Sequence, residues 1–168
     1  MTERGREEAR AVGERLAGRR FALVLTSPSA RARDTCRLAG LGGAARVSDD
    51  LHEWDYGAYE GLTTAQIQAR RPGWTIWTGD APGGETLAEV GARADRVLAE
   101  VGWAGGDVAI FSHGHFLRVL AARWVGLEPA TGAVLALDPA TISVLGHEHE
   151  RPVVREWNAG FEPSAPGG

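Results

Sequence analysis

The sequence contains no lysine, so all 18 basic residues among its 168 are arginines, and it has one cysteine and one methionine. The lone Cys36 has no partner for an internal disulfide, which excludes a disulfide scaffold and agrees with a reducing compartment. No apolar run approaches the roughly 20 residues that cross a bilayer, and the first residues lack the apolar stretch of a secretion signal. We therefore expect a cytoplasmic protein that does not associate with membranes.

Neither sign of charge dominates the sequence. The 18 arginines are set against 22 acidic residues, and the resulting net charge of -4 provides no basic surface for nucleic acid. Hydrophobic residues make up 43% of the chain, which is enough for the core of one domain. No repeat or internal linker is found, so we predict one domain over residues 1–161 and a disordered tail at 162–168.

Short apolar runs alternate with amphipathic stretches along the chain. Four runs have the pattern of buried strands: residues 21–25, 108–111, 141–145 and 153–155. Five stretches have the apolar spacing of helices: residues 2–16, 30–39, 63–70, 86–101 and 116–125. The alternation predicts an α/β fold with three layers, in which helices cover both faces of a mixed sheet.

Two polar loops directly follow predicted strands, at residues 27–31 and 112–115. Ligands bind beyond the carboxyl ends of strands in such sheets, and helix starts attract anions through their free N–H groups. Arg31 in the first loop and His113 in the second therefore form a candidate phosphate pocket, with His115 at its rim. Taken singly, Arg31 also fits a solvated helix start, and His113 fits a capping or core histidine.

Residues 51–61 are dense in aromatic, acidic and glycine residues. Glu53 lies beside Trp54, and a carboxyl among aromatic rings is a candidate general acid, although a rigid surface loop would explain the same composition. Five aromatic residues of this region and of the segment after it are candidates for an apolar wall at the pocket mouth: Trp54, Tyr56, Tyr59, Trp74 and Trp77. For Trp74 and Trp77, core or lid packing is the alternative.

Two pairs of alternating histidines raise the alternative of a metal site. One pair is His113 and His115, and the other is His147 and His149. Neither pair lies in a cysteine cluster or an HExxH motif, and the second falls between two predicted strands, where a polar turn is sufficient explanation. We predict no metal and no other cofactor.

Five motifs, in their order and spacing, resemble the histidine phosphatase superfamily, which has the phosphoglycerate mutase-like fold. The motifs are Thr2-Glu3-Arg4-Gly5, Ser27-Pro28 with Arg31-Ala32 and Thr35, Glu53 with Tyr56-Gly57 and Glu60-Gly61, Pro82-Gly83-Gly84-Glu85, and Ser112-His113-Gly114. The short interval between Gly61 and Pro82 is similar to the acid-phosphatase branch, because it leaves no room for the long insertion of the glycolytic mutases.

This resemblance implies hydrolysis of small phosphate monoesters through a phosphohistidine intermediate, without a metal. It implies that Arg31 and His113 bind the phosphoryl oxygens, that Glu53 gives a proton to the leaving oxygen, and that Tyr56 borders the substrate. His115 would line the same substrate pocket. A phosphoglycerate mutase-type phosphotransferase is the alternative within the family.

The sequence departs from the family at the nucleophile, since it contains no Arg-His-Gly. In the family this motif ends a first strand that precedes the Thr-Glu-Arg-Gly helix, so we expect that strand and the nucleophilic histidine to be missing. We expect this chain to be inactive alone, and we expect a longer product, whose translation starts upstream, to carry the motif. The alternatives are a gene fragment and a truncated protein. A truncated protein would be a non-catalytic phosphate-binding module, and its exposed strand edge would allow a homodimer.

Overall fold

Helices and strands alternate along residues 1–160, the part of the chain that the computed structural model describes; the predicted tail at 162–168 lies outside it. The helices in this part are α1 (Glu3–Leu16), α2 (Ala30–Leu38), α3 (Thr64–Gln68), α4 (Leu87–Gly102) and α5 (Gly114–Trp124). The strands are β1 (Leu23–Thr26), β2 (Ala45–Val47), β3 (Val108–Phe111), β4 (Ile142–Glu148) and β5 (Arg151–Ala159). None of these helices combines the length and apolarity that a bilayer crossing requires.

β1 is the central strand of a three-stranded parallel sheet with the order β2-β1-β3. Its residue Val24 is paired with Ala45 of β2 and with Ala109 of β3. β4 and β5 form a separate antiparallel hairpin. The α/β class is confirmed, and within residues 1–160 the parallel and antiparallel pairings lie in two sheets rather than in a single mixed one.

Threonine caps define where three helices begin. The Thr2 hydroxyl accepts a hydrogen bond from the amide of Gly5 at 3.1 Å at the start of α1. Thr63 and Thr86 form capping boxes at the starts of α3 and α4, each with a long polar side chain three residues later that returns to the cap. The cap residue lies just outside the helix, which is why α3 and α4 begin one residue after the predicted starts at 63 and 86.

The core lies on both faces of the parallel sheet. Successive residues of a strand point to opposite faces, and Val24 and Leu25 of β1 are 3% and 0% exposed. Val24 packs in a cluster with Val12 of α1 and Cys36 of α2. Leu25 packs in a second cluster whose buried members include residues of α4 and α5. Helices therefore cover both faces, and the predicted three layers are formed.

A close backbone contact joins the loop at residues 53–61 to the Pro-Gly-Gly-Glu motif. Ala58 N donates to the carbonyl of Pro82 at 2.9 Å, and Glu85 N donates to the carbonyl of Asp55 at 3.0 Å. Gly57 has a φ of 52°, and a Cβ atom there would collide with the backbone around Gly84. Glycine is required at this position because both the backbone angle and the space exclude a side chain.

Candidate active site

The two loops that follow β1 and β3 lie side by side at one edge of the sheet. The strands are parallel, and their last pair is Thr26 with Phe111. Ser27 N, just after β1, donates to the carbonyl of Phe111 at 2.8 Å. This arrangement brings residues 27–31 and 112–115 together, as expected for the carboxyl ends of neighbouring parallel strands.

Arg31 and His113 are in direct contact at this edge. Arg31 Nε donates to His113 Nδ1 at 3.0 Å, and His113 Nε2 lies 2.8 Å from the hydroxyl oxygen of Ser27. The His113 side chain is buried, whereas Arg31 is exposed. Burial lowers the pKa of His113, and the positive charge of Arg31 lowers it further, against the opposing effect of Glu53. The free site therefore favours a neutral imidazole beside a guanidinium that can reach an anion.

The Glu53 carboxyl lies at the N-terminus of α5. Its Oε1 accepts hydrogen bonds from the amides of Trp54 and Phe116, both at 3.0 Å, and its Oε2 accepts one from the amide of His115 at 3.3 Å. The first amides of a helix have no partner inside it, so they are available to hold a carboxyl in place. Because His113 caps the same helix, Glu53 and His113 are brought to one site.

Tyr56 and His115 form a hydrogen-bonded pair next to Glu53. The Tyr56 hydroxyl lies 2.7 Å from His115 Nδ1, and the His115 ring packs edge-to-face against Trp77 with centroids 5.4 Å apart. Burial raises the pKa of Tyr56, an effect to which the charge of Glu53 adds, and burial lowers the pKa of His115. Arg118 lies over the Trp77 ring at 4.6 Å. These side chains form a mixed aromatic and polar wall.

Two of the five candidate wall residues are core residues instead. Trp54 is 1% exposed and Trp74 is 7% exposed. The indole N–H of Trp54 donates to the carbonyl of Glu85 at 2.9 Å, and that of Trp74 donates to the carbonyl of Asp80 at 3.0 Å. Both indole N–H groups find backbone acceptors inside the protein, so burial of the rings leaves neither N–H unpaired.

A buried ion pair, which the sequence did not predict, supports the loop that carries Glu53. Arg93 of α4 is 5% exposed and pairs with Glu85 through two hydrogen bonds of 2.7 Å. It also donates to the carbonyls of Asp50 at 2.8 Å and His52 at 3.0 Å. Burial is the largest single influence on the pKa of Glu85 and acts to raise it, but the hydrogen bonds and charge of Arg93, together with the amide of Asp55, lower the pKa overall. An arginine in the apolar stripe of α4 is a sequence signal for a buried cation, but it does not identify Glu85 as the partner.

The second histidine pair lies in the β4-β5 hairpin. The His147 ring packs against Trp124 with centroids 5.0 Å apart, and His149 lies in the turn between the two strands with a φ of 54°. Within residues 1–160, no three histidine, cysteine, aspartate or glutamate side chains are grouped as metal ligands would be.

Two solved protein structures have the same fold as this chain. The structure of a Mycobacterium tuberculosis open reading frame product superimposes with a TM-score of 0.89 at 39% identity, covering 95% of this chain and 84% of that one. The mycobacterial glucosyl-3-phosphoglycerate phosphatase superimposes with a TM-score of 0.82 at 30% identity, covering 95% and 87% of the two chains. The fold is therefore that of the phosphoglycerate mutase-like α/β proteins.

Sequence relatives lead to the family. An acid phosphatase of M. tuberculosis is 42% identical over 153 residues, which cover 89% of this chain and 75% of the relative. A sedoheptulose 1,7-bisphosphatase of Saccharomyces cerevisiae is 37% identical over 131 residues, covering 62% of this chain and 48% of the relative. The profile of the histidine phosphatase superfamily (branch 1) matches residues 1–160. The chain belongs to this superfamily.

Proposed function

We propose that this chain supplies the phosphate clamp and the general acid of a phosphatase that hydrolyses small phosphate monoesters. The observation that carries the proposal is the 3.0 Å contact between Arg31 and His113 where β1 and β3 end, with Glu53 held at the start of the same helix. A cation, an imidazole and a carboxyl at one site are the groups that phosphoryl transfer needs.

The roles follow from the charges that develop during transfer. A nucleophilic histidine nitrogen forms a bond to phosphorus while the bond from phosphorus to the leaving oxygen breaks. Arg31 and His113 bind the equatorial oxygens and stabilise their charge in the transition state. Glu53 gives its proton to the leaving oxygen and then takes one from the water that cleaves the phosphohistidine. Tyr56 and His115 contact the organic part of the ester.

The nucleophile itself is not among these residues, because the sequence contains no Arg-His-Gly. We propose that a longer product carries it on a strand beside β3. One observation supports this: within residues 1–160, β3 pairs only with β1 and β4 only with β5, so one edge of β3 has no strand beside it. The unpaired edge of β3 would otherwise be open to a second copy of the chain.

The test compares the 168-residue chain with a chain extended upstream through its genomic reading frame. Each is assayed with an aryl phosphate, and folding is checked by circular dichroism. We expect hydrolysis only by the extended chain, together with acid-labile and base-stable phosphate on the protein. Activity of the short chain would contradict the assignment of the nucleophile. If both chains fold and bind inorganic phosphate but neither hydrolyses the ester, a non-catalytic binding module would be favoured instead.

The acid role of Glu53 predicts a dependence on the leaving group. In the extended chain, Glu53→Gln is expected to lower kcat/KM for alkyl phosphates by about 10²–10⁴-fold, because their alkoxide must be protonated as it leaves. For p-nitrophenyl phosphate, whose leaving group is stable as an anion, the loss is expected to be much smaller. The measurement is kcat/KM on both esters for the parent and the variant. Equal losses on the two esters would remove Glu53 from the acid role.

A phosphotransferase function is the alternative, since a 2,3-bisphosphoglycerate-dependent phosphoglycerate mutase of Gloeobacter violaceus is 33% identical over 145 residues. A mutase must retain its phosphohistidine until an acceptor binds. Transfer of labelled phosphate from a bisphosphate to a second ester, rather than to water, would therefore identify it.

We propose that the protein acts in the cytoplasm, in agreement with its single free cysteine, Cys36.

A further inference from the structure

The hydrogen bonds of His113 identify a residue that controls which ring nitrogen carries the proton. Arg31 Nε–H is only a donor, so His113 Nδ1 must offer its lone pair across the 3.0 Å contact. A neutral imidazole then carries its proton on Nε2, and the only group that Nε2 contacts at hydrogen-bond distance in residues 1–160 is Ser27 Oγ, at 2.8 Å. Turning the ring over would place carbon atoms at both contacts and lose both hydrogen bonds.

Ser27 is built to accept this hydrogen bond. It is 0% exposed, and its backbone is fixed because its amide donates to the carbonyl of Phe111 at 2.8 Å. Its hydroxyl oxygen also accepts from the amide of Ser29 at 3.2 Å, on the side of the loop that leads into α2. The acceptor therefore has a defined position on the strand that precedes Arg31.

We propose that Ser27 is a positioning residue that holds His113 in the Nε2–H tautomer, so that Nδ1, on the Arg31 side, takes up a proton when an anion binds. In the free site Arg31 donates to Nδ1. When Arg31 turns to a phosphoryl oxygen, that contact is lost, and the anion stabilises a proton on Nδ1. The imidazolium can then donate to the anion from Nδ1 while Nε2 stays bonded to Ser27. The anion step of this proposal depends on the proposed phosphate clamp; the tautomer does not.

Charged and titratable groups from several elements act on His113. Arg31 on α2, His52 and Glu53 on the loop before α3, and Arg93 on α4 contribute, and Glu53 alone favours the charged ring. Burial and the three basic groups lower the pKa of His113 in the free site. The negative charge of a bound anion opposes burial and the basic groups, which is why its arrival can reverse the balance.

The tautomer is measured directly on the 168-residue chain labelled with ¹⁵N-histidine. Long-range ¹H–¹⁵N spectra, recorded at a pH where His113 is neutral, show which nitrogen is protonated. We expect Nε2–H alone in the parent. In Ser27→Ala, Nε2–H would be buried without an acceptor, and we expect a mixture of both tautomers. Ser29→Ala is the matched control, because the Ser29 hydroxyl makes no capping bond and its amide remains.

A single unchanged tautomer in Ser27→Ala would show that Arg31 alone orients the ring, and it would overturn the proposal. If that variant does not fold, Ser27→Cys takes its place, since a thiol of similar size is a weak acceptor. A parent with Nδ1–H or with mixed tautomers would overturn the proposal without any variant.

The anion step is tested with inorganic sulfate, whose charge does not change over the pH range in which histidine side chains titrate. Sulfate is expected to convert Nδ1 to the protonated form and to raise its proton affinity at least about tenfold. Bound sulfate with Nδ1 still unprotonated would overturn the anion step. If sulfate fails to bind at all, the proposed phosphate clamp fails, whereas the sulfate-free spectra still decide the role of Ser27.

Discussion

Replacement of Arg93 by methionine is expected to lower the free energy of unfolding by about 3–5 kcal/mol. The Glu85 carboxyl, whose side chain is 18% exposed, would lose both of its 2.7 Å hydrogen bonds to the guanidinium. The carbonyls of Asp50 and His52 would lose their donor as well. Removing one partner of a buried pair leaves an uncompensated charge, which is why the effect is large.

The measurement is urea unfolding followed by tryptophan fluorescence, with Arg96→Met as the matched control. Arg96 is on the same helix and pairs with Asp50, but its side chain is 57% exposed, so its loss is expected to cost at most about 1 kcal/mol. The double variant Arg93→Met with Glu85→Gln removes both charges and should recover part of the stability. An Arg93→Met variant as stable as Arg96→Met would show that the pair does not support the fold.

Arg31→Ala in the extended chain is expected to lower kcat/KM for phosphate esters by about 10²–10³-fold. Arg31 is the cation that contacts His113. As part of the phosphate clamp its guanidinium binds the phosphoryl oxygens of the bound ester, and it binds them more strongly as charge develops in the transition state. The loss should therefore appear in both KM and kcat. The effect on stability should be small, because Arg31 is exposed in the free protein.

Steady-state kinetics of two further variants complete this test. Arg33→Ala changes another exposed arginine of α2 and should leave kcat/KM within about threefold, because side chains two residues apart on a helix point to different faces. Arg31→Lys keeps the charge but loses the planar fork, so it should recover only part of the activity. Equal kinetics for Arg31→Ala and Arg33→Ala would remove Arg31 from the phosphate clamp.

Much of the fold was predictable because its signals are local. The apolar run at residues 108–111 forms β3 as predicted, and the run at 21–25 forms β1 two residues later, at Leu23–Thr26. β2 was missed because Ala45–Val47 is short and largely exposed, so it carries no apolar pattern. The convergence of Arg31 and His113 was also predictable, because parallel strands bring their carboxyl ends to one edge. Their catalytic roles stay predictions.

The α/β class, the two loops that meet at the sheet edge and the resemblance to the histidine phosphatases can be inferred from the amino-acid sequence, because periodicity and ordered motifs are properties of the chain. Three features depend on packing instead: the contact of Ser27 with His113, the pairing of Arg93 with Glu85, and the burial of Trp54. Ser27 and His113 lie 86 residues apart in the chain. Hydrogen bonds over such distances depend on how the layers pack, and no local pattern of residues specifies them.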